Sequence, residues 1–175
     1  MKVHLSVRDE LPGDLLRREA ILDAAMGPDR LKKSSENLRR GRVPAKGLAF
    51  SLEVQGTLAG TLRLWEVDAG GTAALLLGPL AVIPDMAGMG GGSLLVTHAL
   101  AVASRLGHGA VILVGDPGYY TRFGFQARTA GGLSMPGPFE RRRLLAVNLV
   151  EGWLDRASGT IKPAPRRSPD LVLAA

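Results

Sequence analysis

The chain contains no cysteine, which removes a disulfide framework, a thiolate zinc site and a cysteine nucleophile together. Lysine is absent between Lys46 and Lys162, so the G-x-x-x-x-G-K-[ST] loop of nucleotide hydrolases has no place across the glycine-rich middle. Aromatic residues make up only 5% of the chain, which leaves Leu, Val and Ala to build the core and little ring surface to stack on bases. No apolar run reaches the roughly 20 residues of a membrane span, and the longest is interrupted by Gly78 and Pro79. The opening MKVHLSVRDELPGD lacks the apolar core of a secretory signal. The expectation is a soluble, cytoplasmic protein without a metal.

The length of 175 residues fits a single domain with a sizeable core. A formal charge of +6 invites a nucleic-acid reading. However, the arginines fall in short clusters (Arg39-Arg40-Gly41-Arg42, Arg141 to Arg143, Arg166-Arg167) with no aromatics between them, so no nucleic-acid partner is expected.

The informative stretch is Leu75 to Leu106. It starts with an apolar run without alternation, Leu75 to Ile83, which predicts a strand covered on both faces. Gly78-Pro79 within it predicts a bulge, because proline gives up a ladder donor and glycine weakens the pairing. Four glycines in five positions follow, Gly88 to Gly92, with backbone amides free to surround an anion. From Ser93 onward Leu95, Ala99, Val102 and Leu106 recur at helical spacing, so the loop opens a helix. A dinucleotide fingerprint started at Gly88 fails at its third glycine, where Ser93 stands.

This order resembles the GNAT superfamily of acetyl-CoA-dependent N-acetyltransferases, in which a splayed strand leads into [QR]-x-x-G-x-[GA] at a helix start. Gly90 and Gly92 match the two small positions, and Ala87 stands where glutamine or arginine is usual. The wording LGPLAVIPD, LVGDPGYYTRFGF and RRRLLAVNL is similar to the YhbS-like branch, over most of the chain from Val7 to Trp153. The resemblance implies that acetyl-CoA serves as co-substrate and that the amides of Ala87, Gly88, Met89, Gly90, Gly91, Gly92 and Ser93 hold its pyrophosphate. It also implies that Leu80, Ala81 and Val82 hold the pantetheine arm. Tyr120 matches the tyrosine of a Y-x-x-x-G-F block that serves as general acid in many members, and a phenol is close enough to a thiol in pKa for that work. Tyr119 is turned about 100° away on the same helix and packs or lines CoA.

The fold expected is α+β. A first strand near Val3 to Val7, a helix capped by Asp14 and a polar helix from Asp29 to Arg40 precede a hairpin, Leu48 to Val54 and Leu58 to Val67. A right-handed crossover makes Ala110 to Val114 parallel to the central strand, and Leu144 to Leu149 closes the sheet. With the resemblance, this becomes a GNAT-like mixed, mostly antiparallel sheet with flanking helices, whose central parallel pair is splayed around the cofactor site. Residues 1–158 form that domain, and residues 159–175 a proline-rich tail whose Leu171, Val172 and Leu173 pair with a second subunit in a homodimer.

Absence of both a cysteine and a serine–histidine–acid set favours direct attack of a primary amine, from a small molecule or a protein, in a ternary complex. No carboxylate lies between Leu75 and Val82, leaving Glu53, Glu66, Asp68 or a main-chain-held water as base. His4 and His98 read as structural. Asp29 to Arg42, Arg63, Trp65 and the loop Met135 to Phe139 would shape the acceptor pocket. The alternative on the same fold is a non-catalytic acyl-CoA-binding sensor or partner module.

Overall fold

A computed structural model describes residues 2–166. It starts with strand β1 (Leu5–Asp9) and helix α1 (Leu15–Met26). Then come β2 (Ala49–Val54), β3 (Thr57–Ala69) and β4 (Thr72–Val82), helix α2 (Gly91–Arg105) and β5 (Ala110–Val114). A one-turn helix α3 (Pro117–Tyr120), β6 (Leu133–Ser134), β7 (Leu144–Asn148) and β8 (Gly159–Pro163) complete it. The sheet runs β1-β2-β3-β4-β5-β7, antiparallel throughout except for the β4–β5 pair.

Alternation along the strands sends side chains to two cores. Leu52, Leu62, Leu64, Leu75, Leu77, Val111 and Leu113 pack against Leu95, Ala99 and Val102 of α2. On the opposite face Trp65, Val67, Leu76 and Ile112 meet Leu38, Leu133, Leu154 and Ile161. Helix α1 covers the remainder of that face, setting Ile21 and Leu22 against Ala81.

Three local expectations give way to longer-range forces. Asp14 precedes α1 but caps nothing through its side chain. Its buried carboxylate instead accepts from Arg8 Nη1 (2.8 Å), the Leu11 amide (2.8 Å) and Ser51 Oγ (3.0 Å). Residues 29–40 form two 3-10 turns, Pro28–Lys32 and Ser34–Leu38, rather than a helix. Only Leu38 of their apolar residues is buried, while Leu31 is half exposed, so burial supplies little to propagate a longer helix. The third concerns the tail expected beyond residue 158. Because β3 is much longer than β2, the end of β3 lacks a neighbour on that side, and Gly159–Pro163 pair there as Ala69↔Ile161, Asp68↔Lys162 and Val67↔Pro163. These five residues therefore belong to the sheet, with Ile161 fully buried. The segment Leu171 to Leu173 lies outside the described residues.

Candidate active site

The β4–β5 ladder consists of Leu75↔Val111 and Leu76↔Ile112. Beyond it the two strands part. On its other edge β4 stays paired with β3, but the register shifts so that Leu62 faces Leu80 while Leu64 faces Leu77, which sets Gly78 and Pro79 in a bulge. Trp65 fixes the bulge from beneath, its indole Nε1 donating to the Gly78 carbonyl at 2.6 Å. The sheet thus keeps its hydrophobic pairing on one edge and frees main-chain groups on the other.

A cavity of about 500 Å³ fills the fork, lined by Leu76 to Leu80, Leu113, Val114 and Tyr120. Its outer wall is made by Met26, Arg30, Lys33, Ser34, Ser35 and Arg39, with Pro138, Phe139, Glu140 and Arg143 opposite. Parts of the region from residue 29 onward and of the loop before Glu140 therefore line this cavity. Trp65 sits under it, and Arg63 turns away to Glu10, its Nε donating at 2.8 Å. Glu140 and Arg143 escaped the sequence reading; the Arg141 to Arg143 run is visible there only as charge.

At the end of β4, Leu80 and Val82 face the α2 core, while Ala81 faces Ile21 and Leu22. Their alternation leaves backbone, rather than side chain, as what the three residues share along the open edge. The chain then makes a 3-10 turn, Pro84–Met86, and passes the exposed Ala87 and Met89 to α2. Gly90 has φ +86°, a conformation open to glycine and costly for branched residues, and it directs the chain into the helix. Gly91 is buried and Gly92 and Ser93 complete the first turn, so the amides of these three have no intrahelical acceptor and the positive end of the dipole adds to them. Gly92 also admits a neighbour: a Cβ there would lie 2.9 Å from Tyr119 Oη. That hydroxyl stands 3.4 Å from Ser93 Oγ, and Arg122 stacks on the Tyr119 ring, 4.6 Å from its centroid. Tyr119 thus closes over the start of α2. The chemistry of the loop, free amides at a positive helix end with no acidic residue in the chain between Asp85 and Asp116, fits a pyrophosphate.

Tyr120 points the other way, into the fork. Asp116 caps α3 by accepting from the Gly118 amide at 3.0 Å, and Pro117 occupies the first turn, which orients both tyrosines. Burial pushes the Tyr120 phenol up to about 12, with Tyr119 adding to the rise and Arg143 opposing it. The three carboxylates considered as bases lie elsewhere. Glu53 accepts from Arg8 Nε at 2.7 Å, Asp68 accepts from the Gly71 amide in a turn, and Glu66 borders a separate cavity with Arg42 and Trp65. His98 packs edge-on against Phe50, a structural contact. Among the described residues Glu140 is the one carboxylate in the fork lining, and it lies 3.2 Å from Arg142 Nε. No cluster of three or more potential metal ligands occurs among the described residues, and no helix there is long and apolar enough to cross a membrane.

A sheet opened between one parallel pair, with a glycine loop and helix start at the opening, defines an acyltransferase of the CoA-using kind. The acetyltransferase (GNAT) family model matches residues 17–125, and the chain belongs to that family. It is 27% identical over 158 residues to the uncharacterized N-acetyltransferase YhbS of Escherichia coli (strain K12), covering 89% of this chain and 94% of that protein. The crystal structure of Escherichia coli YhbS in complex with CoA superposes with a TM-score of 0.79 at 25% identity, over 93% of this chain and 91% of that one. A GNAT family acetyltransferase from Brucella melitensis in complex with acetyl-CoA gives 0.58 at 27% identity, over 82% and 96%.

Proposed function

We propose that the protein transfers an acetyl group from acetyl-CoA to a primary amine by direct attack in a ternary complex. The observation that carries this reading is the fork itself: freed β4 backbone, a half-buried tyrosine and a cradle of amides stand in sequence along one opening. Acetyl-CoA, when bound, supplies an activated thioester. The amides of Gly88 and of Gly90, Gly91, Gly92 and Ser93 hold its pyrophosphate, whereas those of Ala87 and Met89, which the sequence also offered, already donate to the carbonyls of Pro84 and Met86 at 3.0 and 3.3 Å. Tyr119 covers that cradle. Leu80, Ala81 and Val82 receive the pantetheine arm along the open edge, where a main-chain amide polarises the carbonyl as an oxyanion donor does.

Tyr120 supplies the proton. Its phenol is protonated throughout the physiological range, and the rise to about 12 leaves it a hydrogen-bond donor to the leaving sulfur while making it a weaker acid than a free phenol. Among the described residues Glu140 is the one carboxylate in the fork lining and it is engaged by Arg142, so the amine must arrive neutral or lose its proton to water. The same fact favours the second reading, an acyl-CoA-binding module that does not turn over, because Glu140 is exposed and engaged by Arg142.

Calorimetric titration with acetyl-CoA, using NAD and ATP as controls, tests binding; thiol release across a panel of amines tests transfer. Micromolar binding of acetyl-CoA alone is expected. Tyr120→Phe is expected to lower kcat at least tenfold while the acetyl-CoA Kd stays within about twofold. A fall in kcat below about threefold removes the acid role. Binding without thiol release for any amine supports the sensor reading, and absence of binding overturns both.

A further inference from the structure

The fork cavity has a charge imbalance that acetyl transfer alone does not require. Its lining contains four cations, Arg30, Lys33, Arg39 and Arg143, against the single carboxylate of Glu140. Arg30 is occupied elsewhere, bonded to Glu19 and to Asp23 on α1. Arg39 is occupied only in part. Its Nε and Nη2 both reach Glu36 Oε2, at 3.3 and 3.0 Å, and its side chain is 10% exposed. The remaining arm, Nη1, lies at the bulge, 3.3 Å from where a Cβ on Gly78 would stand. Arg143 is half buried beside Tyr120, and among the described residues neither it nor Lys33 has a carboxylate within salt-bridge distance. Glu140 is satisfied by Arg142 from outside.

These cations do not serve the pyrophosphate. None of residues 84–93, which run from the end of β4 through the amide cradle, lines this cavity. The free arm of Arg39 borders the cavity, and a planar fork of donors matches a carboxylate or phosphate. An acceptor bearing only ammonium charge would meet like charge on the wall.

We propose that the acceptor is an amine that also carries an anionic group, a carboxylate or a phosphate, held between Arg39 and Arg143 with its amine toward the β4 bulge. This assignment rests on the acetyltransferase reading and names its substrate class. It also bears on the missing base. A positive wall lowers the pKa of an ammonium beside it, so the same arginines that hold the anion favour the neutral amine that must attack.

The test uses matched amines of similar basicity: phenylalanine against phenethylamine for the carboxylate, and O-phosphoethanolamine against ethanolamine for the phosphate. Each is titrated by calorimetry into the CoA-loaded protein, then assayed for thiol release with acetyl-CoA. The expected result is that the anionic member of at least one pair binds tenfold or more tightly than its partner. The pair that shows the preference identifies which anion is recognised. Arg39→Gln and, separately, Arg143→Gln should each reduce that preference at least fivefold while the acetyl-CoA Kd stays within twofold. Should Arg39→Gln fail to fold, Arg143→Gln alone decides. Equal binding within both pairs, tighter binding of the uncharged-tail amine, or no binding of any of the four overturns the assignment. Acetyl-CoA binding without an anion preference removes this inference and leaves the transferase reading standing, whereas loss of acetyl-CoA binding removes both.

Discussion

The amide cradle before α2 and the wall of the fork cavity are neighbours along the chain's course through β4, yet they are built from different material. The cradle uses the backbone of one short run, Gly88 to Ser93, whose side chains are small, exposed or absent. The wall uses side chains drawn from residues 26–39, 76–80, 113–120 and 138–143. A backbone site is governed by φ and ψ, and tolerates side-chain change so long as those angles survive. A side-chain site is governed by which groups the fold brings together, and tolerates conformational drift poorly but sequence-distant origin well. On the function proposed above, the difference assigns separate tasks: the cradle holds acetyl-CoA and the wall selects the acceptor.

The sharpest way to break that comparison is to disturb φ alone. Gly90→Val places a branched side chain at φ +86° with no neighbouring atom within 4 Å of its Cβ, so the cost is conformational rather than a clash. Strain of roughly 1–3 kcal/mol predicts a fall in acetyl-CoA affinity of about five- to 150-fold. Calorimetry measures it, and the binding preference among amines should persist in the CoA-free protein. Undiminished acetyl-CoA affinity would mean that the cradle does not work through its backbone.

A second variant separates both halves of the site from the scaffold. The carboxylate of Asp14 receives Arg8, Leu11 and Ser51, and the Arg8 guanidinium above all holds its pKa well below the usual carboxylate range. Since the folded value is depressed, the stabilisation is complete above the unfolded pKa of about 3.9 and is lost as pH falls below it. Asp14→Asn should cost about 1–2 kcal/mol at pH 7 by denaturant titration, with the gap to the unmodified protein narrowing below about pH 4. Acetyl-CoA affinity of the folded variant should not change. A gap constant with pH would remove the charged form of Asp14 from the explanation.

The same contrast accounts for what could be read beforehand. The buried run into Gly78-Pro79, the glycine loop, the period of α2 and the Asp116-Pro117 helix start are all local patterns, and all appear in the structure where local rules put them. Asp14 misled because its position before α1 suggests a cap, whereas its partners Arg8 and Ser51 become neighbours only when β1 and β2 pair. Gly159–Pro163 reads as a proline-bearing tail because nothing within it shows that β3 outruns β2. The cavity cations were visible as charges, but residues 39 and 143 meet only across the assembled fork, so their shared pocket had no signature in spacing.

The smallest expected effect restores the side chain that the cradle lacks. Ala87 is exposed and has φ −61° and ψ 136°, angles that any residue adopts, so Ala87→Arg introduces no strain. Arginine or glutamine is usual at this position of the GNAT pattern, and a guanidinium there would add a charge-assisted hydrogen bond to the anion held by the amides. Exposure limits its worth to about 0.5–1 kcal/mol, which predicts a two- to fivefold gain in acetyl-CoA affinity that diminishes as salt is raised. The preference for anionic amines should stay as it is, since Ala87 does not line the fork. A gain well above tenfold would show that side chains rather than amides dominate the cradle, and a loss would show that Ala87 does not face the pyrophosphate; either result would dissolve the division between a backbone half and a side-chain half.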